Sequence, residues 1–330
     1  MKRDRRWYRP GAWTVPVCLG AFLLGATVLT VASAEETPQA GGTRRALLLF
    51  GHPGTEVFEQ IYQRSAENLR SGLVERLGFS AEHVWVRCGV ASDSEDQPDL
   101  AGYRGPATRD GIAADVAELA GALGPNDTLW VIVAGHSHFD GRRVFLNLPG
   151  RDMDQAEFGK LFRDIHCGQQ VFFITVAASG FFIRDLSAKG RVVITSTEAD
   201  AEVNDAQFHW HLGNVLQKLR SEGDFDRDGD DRITLLDLYL AAVRRVMTDY
   251  RDNDYIATEH ALLDDNGDGQ GTELQRDDLE PDLGGLMVRR PMSVVIRPPG
   301  DGALAASIEL PLSADVTLTP DLPAPSDDSR

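Results

Sequence analysis

Apolar runs recur along this chain, each followed by a stretch with helical periodicity. The runs lie at 45–50 (RALLLF), 83–87 (HVWVR), 128–134 (TLWVIVA), 170–176 (QVFFITV) and 191–196 (RVVITS). Each is short, rich in Val, Ile, Leu, Phe or Trp, and lacks polar alternation, the pattern of strands covered on both faces. Between them, 56–77, 110–123, 154–165 and 205–219 predict helices. In the first, Val57, Ile61, Leu69, Leu73 and Leu77 fall near one helical face. This alternation predicts an α/β fold: a doubly wound, mostly parallel sheet with helices on both faces. A run at 143–148 (RVFLNL) predicts a short hairpin arm after the third strand.

The texture changes at Gly223, where Asp-rich loops surround a predicted helix at 235–250. From Glu280 onward Pro and Gly return, with candidate strands at 293–296 and 307–312, and residues 317–330 read as a Pro-rich, acidic, disordered tail. At the other end, a basic stretch at 2–9 precedes an uncharged stretch at 15–31. Ala32-Ser33-Ala34 then offers a cleavage site before Glu35. The alternative is an uncleaved anchor, but Pro16, Gly20 and Gly25 interrupt the apolar stretch and favour cleavage. The expected organisation is therefore a signal peptide at 1–34, a linker at 35–43 and an α/β domain at 44–222. A calcium-loop extension at 223–280, a C-terminal segment at 281–316 and the tail follow. Such a chain is expected to be exported, to the periplasm or outside the cell, with no membrane attachment after cleavage.

Charge narrows the partners. The chain holds 33 Lys and Arg against 51 Asp and Glu, a net charge of −18. That excess repels phosphate backbones and anionic bilayers, which argues against nucleic-acid binding and suits the holding of cations. Outside the leader only Cys88 and Cys167 occur, too few for a disulfide scaffold. Their places at opposite edges of the predicted sheet make them two ordinary thiols.

In a parallel sheet, reactive groups gather at the carboxyl ends of the strands. Those ends carry Gly51-His52-Pro53-Gly54, Gly135-His136-Ser137-His138, Ala177-Ala178-Ser179-Gly180 and Thr197-Glu198-Ala199-Asp200. A strand running into Gly-His, followed about forty residues later by a strand running into a small-residue turn with Ser-Gly, resembles the caspase-like peptidases (caspases, metacaspases and legumain-like enzymes). The resemblance covers roughly residues 44–219. It implies that His136 stands where the family has its general base, and that Ala177 fills the slot of the nucleophilic Cys. A methyl group supplies no nucleophile, and losing one removes the covalent pathway, on the order of 10⁶ in rate. Ser179 is the alternative nucleophile, displaced by two positions; its simpler reading is a helix cap for the segment that follows. His52, His136 and His138 share the rim and are candidates for a bound metal, against a structural role for each. His209 and His211, two apart on a helix, point to different faces and make a poor metal pair.

The most specific local pattern is Asp226-Arg-Asp228-Gly-Asp230-Asp-Arg232-Ile-Thr234-Leu-Leu-Asp237. It follows the EF-hand plan, with oxygen ligands at loop positions 1, 3, 5 and 12, the Arg232 carbonyl at 7 and Thr234 at 9. Asp231 stands where Gly is usual and Asp237 where Glu is usual. A second loop, Asp264-Asp-Asn266-Gly-Asp268-Gly269, repeats the first half of the plan, with Gln275 at its twelfth position. Weak Ca²⁺ binding, near ~10⁻⁴–10⁻³ M, is expected of such loops outside the cell. The leading expectation is an exported caspase-like pseudopeptidase, braced by Ca²⁺, that binds an unidentified protein or peptide. The rivals are an active hydrolase using Ser179 or a His-bound metal, and a purely structural calcium-binding envelope protein.

Overall fold

The computed structural model describes residues 42–91, 98–199, 202, 204–219, 225–226, 232–274 and 300–312. The signal peptide, most of the linker, Asp228, Asp230, Gln275, the candidate strand at 293–296 and the tail lie outside the described residues.

The five apolar runs form five strands of one sheet: β1 (Arg44–Phe50), β2 (Val84–Cys88), β3 (Thr128–Ala134), β7 (Gln169–Thr175) and β8 (Arg191–Thr195). They pair in parallel in the order β2-β1-β3-β7-β8, and β9 (Leu262–Asp264) joins the far edge antiparallel to β8. The result is an α/β fold with a six-stranded, mostly parallel sheet. After β3 the chain makes a separate three-stranded antiparallel sheet from β4 (Ser137–Phe139), β5 (Val144–Leu146) and β6 (Met153–Asp154). The predicted hairpin arm is thus larger by one strand pair.

Because successive strand residues face opposite ways, each strand feeds two cores. Ala46, Leu48, Phe50, Ile132, Phe173 and Ile194 pack on one face with Leu69, Phe208, Leu212 and Leu236. These last belong to α1 (Glu56–Ser71), α5 (Phe208–Lys218) and α6 (Leu235–Asp252). On the other face Leu47, Val131, Phe172 and Ile174 meet Ile112, Val116, Phe158 and Leu186. Those lie on α2 (Arg109–Ala122), α3 (Gln155–Leu161) and α4 (Ile183–Leu186). The helix starts carry side-chain caps: Thr55 for α1, Thr108 for α2, and reciprocal capping boxes at Asp154–Glu157 for α3 and Thr234–Asp237 for α6. The first predicted helix continues past Ser71 as a single π-turn at Gly72–Arg76.

Beyond Gly223 the outcome departs from the expected extension. α6 packs into the same core as α1 and α5, and Leu263, Ile308 and Leu310 join it. The candidate strand at 307–312 is instead the end of a short helix, α7 (Ala303–Ser307), followed by one bridge between Thr234 and Glu309. Near the opposite edge, Arg87 of β2 and Arg104 close on Asp115 of α2. Arg87 donates to both carboxylate oxygens at 2.6 and 2.9 Å, and Arg104 donates at 2.9 Å. Asp115 is fully buried. No described helix is long and apolar enough to cross a membrane.

Candidate functional site

The tips of β1, β3 and β7 meet at one rim. Register sets Phe50 beside Ala134 and Ala134 beside Thr175, so His136 and Ala177 follow at equivalent places on neighbouring tips. The strands crowd closely here. Gly135 has φ +129, and a Cβ on it would stand 2.9 Å from the Gly51 nitrogen, which explains the glycine before His136. Asn147, just beyond β5, ties two tips together: His52 N–H donates to its carbonyl, and its own N–H donates to the His136 carbonyl.

The His136 ring is engaged at both nitrogens. Nδ1 lies 2.7 Å from the Asp205 carboxylate and Nε2 lies 3.1 Å from the Pro53 carbonyl. Both partners only accept, so the arrangement suits a ring with both nitrogens protonated. Burial works against that charge, but the Asp205 hydrogen bond and charge, with the Pro53 carbonyl, outweigh it and raise His136 above its ordinary value. Phe58 packs edge-on at 4.4 Å between ring centroids and Tyr62 at 5.7 Å. A ring held in this way is seated at both nitrogens, with neither one facing a group it could deprotonate.

Ala177 is buried, and its carbonyl accepts from the Ser137 hydroxyl at 2.7 Å. Ala178 then takes a left-handed conformation, φ 49 and ψ 31, with its N–H donating to the Glu202 carbonyl. For a residue with a Cβ this costs roughly 1 kcal/mol or more. Ser179 is the first residue of a 3₁₀ turn, Ser179–Phe182, and makes no side-chain cap. The capping role is corrected: the Ser179 hydroxyl is fully buried and bonds Thr197 Oγ1 at 2.9 Å and Ser196 Oγ at 3.2 Å, while accepting from Thr197 N–H. It knots the tip of β7 to that of β8 and is withdrawn from solvent. Gly180 has a packing reason as well, since a Cβ there would meet the Ala199 nitrogen at 2.4 Å. The two residues of the Ser-Gly motif are thus explained by close strand packing.

The rim histidines do not converge. His52 Nδ1 accepts from Gly54 N–H, and His138 Nδ1 pairs with Asn147 Oδ1 while its ring stacks on Phe145. His209 bonds Ser65 at 2.7 Å, and burial pushes it down to about 4. His211 is buried with Asp249 3.9 Å away. Among the described residues no group of three or more His, Cys, Asp and Glu side chains gathers around a metal-sized point. Both cysteines are free thiols; burial pushes Cys88 up to about 12 and Cys167 to about 11, far from nucleophilic.

In the first acidic loop, Asp226 is half-buried and Arg232 exposed. Thr234 and Asp237 are fully buried and turned on each other: Asp237 Oδ2 accepts from both the N–H and the hydroxyl of Thr234. In the second, Asn266 and Asp268 are exposed, each accepting from the backbone two residues on, and Gly269 has φ +77. Asp264 Oδ1 accepts from Gly267 N–H, whereas its Oδ2 is buried with no hydrogen-bond donor among the described residues.

Sequence reasoning missed the partners of His136. Asp205 stands 69 residues further on, in a connection with no motif. It also missed a cavity of about 900 Å³ beside this pair, lined by Phe58, Tyr62, Trp210, Tyr250 and Tyr255. Behind two of the lining residues, the buried Glu259 carboxylate accepts from Gln207 and Phe208 N–H at the start of α5 and from the Tyr250 hydroxyl. No family model matches the chain, and no curated protein matches it.

Proposed function

We propose that this protein is a non-hydrolytic binding protein with a caspase-like, doubly wound architecture, in which the rim and its cavity receive a ligand that is not cut. The observation that carries the reading is His136 held at both nitrogens, with a buried Ala177 at the equivalent place on the neighbouring strand tip. With a methyl at Ala177 and the Ser179 hydroxyl buried against Ser196 and Thr197, the ring has no nucleophile to activate. The buried Ser179 weighs against the rival hydrolase, and the separate partners of the three rim histidines weigh against a His-bound metal. A peptide library with fluorogenic leaving groups tests this. No turnover above buffer is expected, from the chain itself or from its His136→Ala variant. Turnover that vanishes in His136→Ala would overturn the reading.

Calcium belongs to the same proposal as a brace. Of the two loops, the second has the better support, because a buried carboxylate oxygen with no donor among the described residues suits a cation. Asp264, Asn266 and Asp268 would hold the ion there. In the first loop Asp226, Asp228, Asp230, Arg232, Thr234 and Asp237 remain the candidate ligands, with Asp237 already shared with the cap of α6. At 10 mM Ca²⁺ a site of about 1 mM affinity adds roughly 1.4 kcal/mol, a rise in Tm of about 2 °C. Differential scanning fluorimetry should show that rise for Ca²⁺ but not Mg²⁺, and lose it in Asp264→Asn. An equal response to both ions, or an unaltered one in the variant, would remove calcium from the account.

A further inference from the structure

We infer that the cavity beside His136 and Asp205 is a receptor site for a small organic cation, an ammonium group carried on an apolar body. The inference rests on the binding-protein reading and supplies the ligand class.

Shape comes first. A volume of about 900 Å³ falls within the range of sites that enclose whole small molecules, about 300–1,000 Å³. It is several times what one side chain fills. At its edge Ile256 is 87 % exposed and Tyr255 37 %, large apolar groups left to solvent beside an apolar hollow.

Chemistry then selects the charge. Five aromatic residues (Phe58, Tyr62, Trp210, Tyr250 and Tyr255) line the cavity. Aromatic faces carry negative charge density and attract cations, most strongly where water is excluded. Asp205 and Asp254 are the carboxylates of the lining, and no Lys or Arg belongs to it among the described residues. His136 takes up one oxygen of Asp205. Asp254 is exposed at the loop after α6, in a left-handed conformation with φ 55, and no basic side chain pairs with it among the described residues. His209, the imidazole of the lining, is pushed down to about 4 by burial and adds no positive charge at neutral pH. Glu259, behind Tyr250, adds negative charge whenever it ionises. An anion would therefore meet the Asp254 carboxylate, with no lysine or arginine among the described residues of the lining to offset it. A neutral molecule would gain the apolar contact and forgo the rest.

The protein already seats one imidazole against these walls. The His136 ring lies against Phe58 and Tyr62, with the Asp205 carboxylate at its side. Trp210, Tyr250 and Tyr255 add further aromatic side chains to the lining, and Asp254 a second carboxylate.

Choline and its uncharged isostere 3,3-dimethylbutan-1-ol separate charge from shape. Titrated calorimetrically into the full chain, choline should bind saturably and at least tenfold more tightly than the alcohol. Asp254→Asn should weaken choline several-fold and leave the alcohol unchanged. Tyr255→Ala should weaken both. Both positions are exposed, so an unaltered melting temperature confirms that the variants fold. Equal affinity for the two probes, indifference of choline to Asp254→Asn, or no saturable heat below about 10 mM would overturn the cation site. The hydrolysis assay is independent of these outcomes. Turnover that needs His136 would refute the binding-protein reading even with choline bound, whereas silence in both assays would refute the cation site alone.

Discussion

Replacing Asp115 with alanine is expected to destabilise the fold by about 3–5 kcal/mol, the cost of stranding buried charge when one partner of an ion pair is removed. Asp115 is fully buried and receives three guanidinium hydrogen bonds, two from Arg87 and one from Arg104. The Arg87 side chain is only 10 % exposed, so water cannot take over the lost partner. Arg104, at 32 %, has a second carboxylate in Glu118 and lies 4.0 Å over the Trp85 ring, so it loses less. The asymmetry makes a double-mutant test decisive. Adding Arg87→Met to an Asp115→Leu variant should recover much of the lost stability, because a well-packed apolar pair removes both charges together. Urea denaturation measures each step. A loss below about 1 kcal/mol for the alanine variant would put this network among ordinary surface pairs.

A second large effect is expected from pH. Burial, outweighing the hydrogen bonds from Gln207, Tyr250 and Phe208, raises Glu259 from 4.5 to about 7. Between those values the unfolded chain has released this proton and the folded chain keeps it. Raising the pH through the window therefore removes stability, in total about 3 kcal/mol. Below pH 4.5 none of that is lost; above about 7 all of it is. Glu259→Gln cannot ionise, so the stability difference between variant and parent should move in favour of the variant by about 3 kcal/mol from pH 4.5 to 7.5. Titrations elsewhere cancel in that difference. Isotope-edited carboxyl spectra should also show a native midpoint near 7 that disappears in the variant. A difference that stays flat across the window would mean Glu259 is ionised in the fold throughout.

How much could be read beforehand follows from how each feature is encoded. The five long strands were legible because burial on both faces writes an unbroken apolar run. β9 was not, because Leu262–Asp264 has three residues and sits among Asp-rich turns that suggest a loop. The break at Gly223 is real in composition, yet Leu236, Leu240 and Val243 of α6 point into the common core. Composition reports what faces solvent, and here the covered face decided the outcome. At the rim, His136, Ala177 and Ser179 were found because strand ends can be located from the runs that precede them. Their roles depended on partners that no local spacing reveals: Asp205 for His136, and Ser196 and Thr197 for Ser179. The aromatic cavity was hidden for the same reason, being assembled from α1, α5 and the turn after α6.

The antiparallel strand at the sheet's edge also orders events in time. β8 is complete at Thr195, but the strand that covers its outer backbone begins at Leu262. A chain folding from its amino end would show a bare row of amide and carbonyl groups over the whole interval, a template onto which another copy can add. Nascent or truncated forms ending before Leu262 are therefore expected to self-associate more readily than the full chain.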